Sequence, residues 1–266
     1  MLSSQPQTGL GALRATAVAW FFIGTIGQWI FAGYILGFFG PRLLAGTYSA
    51  LNDKTHITGY VTGDWLGNSH LLAHVLLAAT LSLAGALQLV PALRKSRPNF
   101  HRWNGRLFML TAVIATLSGF YLTWVRGSRL DLLSALGTTL NGLLILVFVV
   151  RAWRSAVARD LVQHRKDALR AYLLVNGVWF LRIMMIPTMM TLASLGLADR
   201  FGEAAFQALS FLSYVLPLAL LELYFHAERS HHARTRWLVA GVLGLSVLIA
   251  ASGIVGATVF MWLPRM

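Results

Sequence analysis

Residues 131–152 read DLLSALGTTLNGLLILVFVVRA, and no charged residue stands between Asp131 and Arg151. At 1.5 Å of rise per residue, a helix over that interval is about 28 Å long, close to the roughly 30 Å hydrocarbon thickness of a bilayer. Working outward, comparable apolar stretches recur along the chain. The expected helices are Thr16–Phe39, Asn68–Leu93, Gly105–Val125, Asp131–Ala152, Leu169–Leu195, Glu203–Phe225 and Trp237–Met261. The fold class is therefore an all-α, polytopic membrane helix bundle of about seven transmembrane helices. Residues 1–266 form a single transmembrane domain in this reading. The first stretch is too long for the apolar part of a secretory signal and is expected to remain as an anchor.

Composition agrees with this class. Hydrophobic residues make up 57% of the 266 positions and charged residues 12%, about half the share usual in soluble domains. There is no cysteine, which removes disulfides, thiol nucleophiles and cysteine-ligated iron–sulfur clusters. A formal charge of +13 in a soluble protein would suggest nucleic acid, but here its placement decides. Fifteen of the 22 lysines and arginines fall in loops on one side of the expected bundle. Arg42, Lys54, Arg126, Arg129, Arg200 and Arg265 fall on the other, and Arg182 lies within a helix. Basic loops stay cytoplasmic, so the expected topology is amino terminus inside and carboxyl terminus outside, in a cell inner (plasma) membrane. The natural partners of this charge are anionic lipid headgroups rather than nucleic acid.

The two largest basic loops share a pattern. His101-Arg102 is followed by Arg106 and Phe108, and His164-Arg165 by Arg170 and Tyr172. Each opens the second helix of an expected hairpin, which suggests two hairpins related about an axis along the membrane normal.

Residues 63–187 resemble a bacterial multi-pass membrane family filed as domain of unknown function 2306. The resemblance rests on His74 with Gly85 and Gln88, on His101-Arg102 with Gly105-Arg106, and on His164-Arg165 with Arg170 and Arg182. Phe108 stands where that family commonly has a tyrosine, and Lys166-Asp167 where an aromatic-rich stretch often follows. The resemblance implies a membrane bundle with these residues as candidate positions, and it implies no reaction.

Arg182 is the most informative single residue. It lies twelve residues beyond Arg170, or about 18 Å along a helix, past the bilayer midplane. A central arginine costs about 2.5–3.5 kcal/mol on insertion scales, so it is expected to face protein. It could serve as counter-ion to an anionic ligand group, or as a clamp on backbone carbonyls near Pro187. His74 falls at an overlapping depth, with Gln28, Asn141 and Asn176 as polar neighbours by depth. His70 shares a face with His74, but a zinc site needs further ligands and the metalloprotease glutamate is missing.

At the basic end, His101 and His164 begin alternate helices, an arrangement that can hold haem iron between two imidazoles. Arg102, Arg106, Arg165 and Arg170 could then neutralise the propionates. The plainer alternative is that these residues meet headgroup phosphates and water. Two functional classes follow. One is a redox or electron-transfer protein, an oxidoreductase or electron-transport component, binding haem b or quinone, with His74 and Arg182 in the outer half. The other is a transporter or small-ligand binder, in which His74 and Arg182 hold a hydrophobic or anionic ligand. A non-catalytic assembly partner for another membrane complex is a third.

Overall fold

The computed structural model describes residues 8–53 and 58–266, and Lys54 lies outside them. The described residues form helices α1 (Leu10–Leu44), α2 (Trp65–Gly85), α3 (Pro91–Ser96), α4 (Pro98–Phe120), α5 (Leu132–Val157), α6 (Leu161–Val175), α7 (Gly177–Ser194), α8 (Ala198–Arg229) and α9 (Ala233–Ala257). Short 3-10 or π turns link or extend them, and no strand is present among the described residues. Seven described segments are long and apolar enough to cross a membrane: Leu10–Leu44, Trp65–Leu89, Pro98–Val125, Leu132–Val157, Gly177–Ser194, Ala198–Arg229 and Ala233–Arg265. The expected multi-pass bundle is the observed one.

Local chemistry sets the boundaries. Asp64, Asp131 and Asp160 each stand just before a helix and accept a hydrogen bond from the N–H of Gly67, Ser134 and Gln163, at 2.8, 2.8 and 2.9 Å. Such caps satisfy N–H groups that have no partner within the helix. Pro91 and Pro98 open α3 and α4, where a missing N–H costs nothing.

One expected element is wrong in detail. The single helix Leu169–Leu195 is broken at Asn176 into α6 and α7, and α6 begins eight residues earlier than that helix was expected to. The Asn176 amide turns back to its own Tyr172 carbonyl at 2.7 Å. Where the α6 ladder ends, Asn141 of α5 donates to the Leu174 carbonyl at 3.1 Å. The neighbouring Gly177 makes room for this, since a Cβ there would lie 2.5 Å from the Asn141 amide nitrogen. Hydropathy alone sees one apolar run, because the break is made by side-chain hydrogen bonds rather than by proline.

The bundle is turned inside out relative to a soluble one. Large apolar residues such as Phe22, Leu140, Val147 and Leu248 are exposed, whereas Gln28, Asn141, Asn176 and Ser210 are buried. Helices meet at small residues, as membrane helices do when close approach supplies the packing energy. Gly27 of α1 sits against Ile254 and Trp179, and Gly85 of α2 against Phe108 and Tyr172. Gly253 of α9 lies directly on the Ile183 carbonyl of α7. That carbonyl is the one to which Pro187, lacking an N–H, cannot donate, and the backbone of α9 at Gly253 packs directly over it.

Candidate functional site

Four helices bring a polar cluster together in the half of the bundle away from the basic loops. Arg182, on α7, donates to the carbonyl of Val178 one turn back at 3.1 Å. Its guanidinium lies 5.2 Å from the Phe31 ring centre on α1, near enough for cation–π attraction. Phe31 in turn packs on Trp262, with ring centres 5.3 Å apart, and Tyr34 stacks on Trp262 at 6.2 Å. Trp262 belongs to a π turn, Thr258–Trp262, that continues α9. Arg265 follows three residues later and donates to the Met261 carbonyl at 3.2 Å.

His74, on α2, completes the cluster. It is near enough for the Arg182 charge to reach it, and no hydrogen bond joins the two among the described residues. Its Nδ1 is 3.0 Å from the Ala115 carbonyl of α4. A carbonyl only accepts, so the proton sits on Nδ1 and Nε2 keeps its lone pair. The imidazole thus offers an acceptor, and the Arg182 guanidinium offers donors. Gln28, Asn141 and Asn176 do not join this cluster. Gln28 accepts from the Tyr172 hydroxyl at 3.0 Å, and the two asparagines serve the α6–α7 break. His70 stacks on Tyr121 at 4.1 Å and meets Ser118, apart from His74's partner. Among the described residues no group of three or more histidine or acidic side chains is arranged to hold a metal ion.

At the basic end, His101 and His164 are near enough for their charges to interact. His164 Nδ1 is 2.9 Å from the Ala152 carbonyl of α5. With the Gln88 amide oriented so that its oxygen accepts from the Gly105 N–H at 3.0 Å, its nitrogen donates to His101 Nδ1 at 3.1 Å. That places the proton of neutral His101 on Nε2. Arg102 and Arg106 are exposed, with Arg106 lying over the Trp103 ring.

Arg165 and Arg170 are engaged within the protein. Arg165 makes a two-pronged pair with Glu228, at 3.0 and 3.2 Å. Arg170 donates to Glu222 at 2.7 Å and to Asp167 at 3.0 Å. Hydrogen bonds to Glu222 and Glu228 raise the already high proton affinity of Arg170 and Arg165 respectively. Asp167 is the centre of this network: its side chain is 1% exposed and also receives Arg151 and Gln163. Sequence reasoning treated Asp167 only as a departure from a pattern. The available signal was an acid in a strongly basic loop, three residues before an arginine.

Of the two like loop patterns, the residues two positions beyond the second arginine meet: the Phe108 and Tyr172 rings lie 6.3 Å apart.

The family described as Predicted membrane protein (DUF2306) matches residues 71–225, more than half of the chain. No curated protein and no solved structure matches it. The matched region contains His74, His101, His164 and Arg182, while the aromatic wall formed by Phe31, Tyr34 and Trp262 lies outside it.

Proposed function

The chain belongs to this family of predicted membrane proteins, and on that footing we propose that it binds the oxygen-bearing headgroup of a membrane-borne ligand between Arg182 and His74. One observation carries the reading. Arg182 has no carboxylate partner among the described residues, whereas Arg126, Arg151, Arg165 and Arg170, toward the two ends of the bundle, all do. A guanidinium in the middle of an apolar bundle with only a carbonyl and a ring for company keeps most of its hydrogen-bonding capacity unused. A carboxylate or a quinone oxygen satisfies that capacity, and His74 Nε2 accepts a proton or hydrogen bond from the same ligand. Both transport of a small amphiphile and quinone-linked redox chemistry begin with this binding step.

The orientation that accompanies it is amino terminus inside, in a cell inner membrane, because the basic loops then face the cytoplasm and its anionic headgroups. To test binding, the purified full chain in nanodiscs is titrated with oleate and with decylubiquinone. Wild type binds at least one, and Arg182→Gln weakens that affinity by about 10-fold or more, the usual worth of a charge-assisted hydrogen bond. Equal affinity in the variant for both probes removes the reading.

The placement of His101 and His164 in the first turns of α4 and α6 favours a second reading, b-type haem between them with electron transfer as the activity. The Gln88 contact opposes it, because an Nε2 that carries the proton cannot ligate iron until that amide turns. A reduced-minus-oxidised spectrum after haem-sufficient expression decides: a b-type band abolished in His101→Ala and His164→Ala supports it, and a flat spectrum removes it.

A further inference from the structure

We propose that the ligand held at Arg182 is an oxyanion, specifically the carboxylate of a long-chain amphiphile, and that the segment after α9 supplies the rest of its site through Arg265 and the Trp262 indole N–H. This rests on the binding reading above and deepens it by fixing the ligand's charge.

Two further observations point the same way. The first is Trp262. Its side chain is 1% exposed, and its Nε1 is buried with no acceptor. Buried indole N–H groups ordinarily find a partner, and leaving one without costs about 1–3 kcal/mol. The donor sits on the ring that packs against Phe31, which is the ring Arg182 covers.

The second is a further cation without an acidic partner. Arg265, three residues beyond Trp262, donates to the Met261 carbonyl at 3.2 Å. No acidic residue pairs with it or with Arg182 among the described residues. An anion compensates an unpaired guanidinium inside a membrane-spanning segment by opposite charge as well as by hydrogen bonds. A neutral quinone supplies acceptor oxygens but leaves the charge of Arg182 uncompensated. A carboxylate supplies a full charge and two oxygens, which suit a guanidinium fork and one further donor. The apolar surroundings of Phe31 and Tyr34 suit the attached chain. The π turn gives a structural reason for the placement, since π turns displace side chains from ordinary helical register and recur at functional sites.

The oxyanion could also be a phosphate ester, so the test separates the sources. Full-length wild type, Arg265→Gln and Trp262→Phe in nanodiscs are each titrated with oleate, methyl oleate and dodecyl phosphate. Oleate is expected to bind wild type, with affinity about 10-fold weaker in Arg265→Gln and several-fold weaker in Trp262→Phe, which keeps an aromatic ring but loses the N–H together with part of the indole volume. Methyl oleate binds weakly to all three. Unchanged oleate affinity in both variants overturns this inference while the Arg182 reading stands, provided Arg182→Gln still loses oleate. Tight methyl oleate binding overturns it as well, and dodecyl phosphate binding in preference to oleate overturns the carboxylate assignment. If Trp262→Phe does not yield folded protein, Arg265→Gln alone decides, because that side chain is only partly buried.

Discussion

At the scale of single residues, charge placement separates holding the bundle together from binding. Asp167 is buried between Arg151 and Arg170, whose side chains remain 53% and 17% exposed. Asp167→Asn removes one charge and leaves the arginines able to turn toward water or Glu222. The expected loss of stability is about 1–3 kcal/mol, below that of a fully enclosed pair, and is read as a lower unfolding temperature in detergent. Ligand affinity at Arg182, on the other side of the bilayer midplane, is expected to stay unchanged. A variant as stable as wild type would show that Asp167 does not tie α5, α6 and α8 together. The sequence made Arg182 and His74 legible, because an intramembrane charge and an imidazole at like depth are rare and costly. It left Trp262 and Phe31 illegible, since aromatic residues in an apolar helix look like any other core or lipid-facing residue until their ring contacts are known.

At the scale of elements, close helix approach and helix caps carry the shape of the site. Gly253→Ala inserts a methyl group against the Ile183 carbonyl, one residue from Arg182. Helix backbone cannot give way as a flexible side chain can, so α7 and α9 separate at a cost of about 1–3 kcal/mol. Thermal unfolding shows this as a lowered midpoint together with weakened oleate binding. An unchanged midpoint would contradict so tight a crossing. Gly177→Ala tests the α6–α7 break in the same way through its contact with Asn141.

The cap of α2 predicts a pH effect. The Gly67 N–H holds the Asp64 carboxyl below its ordinary value, and Arg126 adds to this. A depressed carboxyl stabilises the fold above its unfolded value near 3.8, and that contribution is lost as pH falls through the folded value. Proteolysis or hydrogen exchange of the segment before α2 should therefore accelerate below about pH 4 in wild type. In Asp64→Asn it should already be fast at pH 7 and show no acid step. A wild-type profile flat down to pH 3 would contradict the cap's role. The spans themselves were legible from hydropathy, but the Asn176 break was not, because a single side-chain hydrogen bond leaves the apolar average unchanged.

At the scale of the whole molecule, the basic and polar ends divide the labour. One end carries the Asp167 network and the basic loops, and the other half carries Arg182, which no carboxylate neutralises among the described residues. Cysteine introduced at Val157 is expected to label from the cytoplasmic side and cysteine introduced at Leu195 from the opposite side. The reverse pattern would invert the orientation and leave the site's chemistry intact. The all-helical, seven-span architecture was readable because bilayer thickness dictates segment length. How α9 and the turn that continues it pack along α1 was not, because no local pattern encodes which helices touch.

The most direct measurement is photo-crosslinking of the full chain in nanodiscs with a diazirine-bearing fatty acid, followed by peptide mapping with and without excess oleate. The expected result is adducts, competed by oleate and lost in Arg182→Gln, on peptides containing Phe31, Arg182 and Trp262. Adducts confined to lipid-facing residues such as Phe22 or Leu140, indifferent to competitor and to the Arg182 substitution, would contradict a ligand site at this guanidinium.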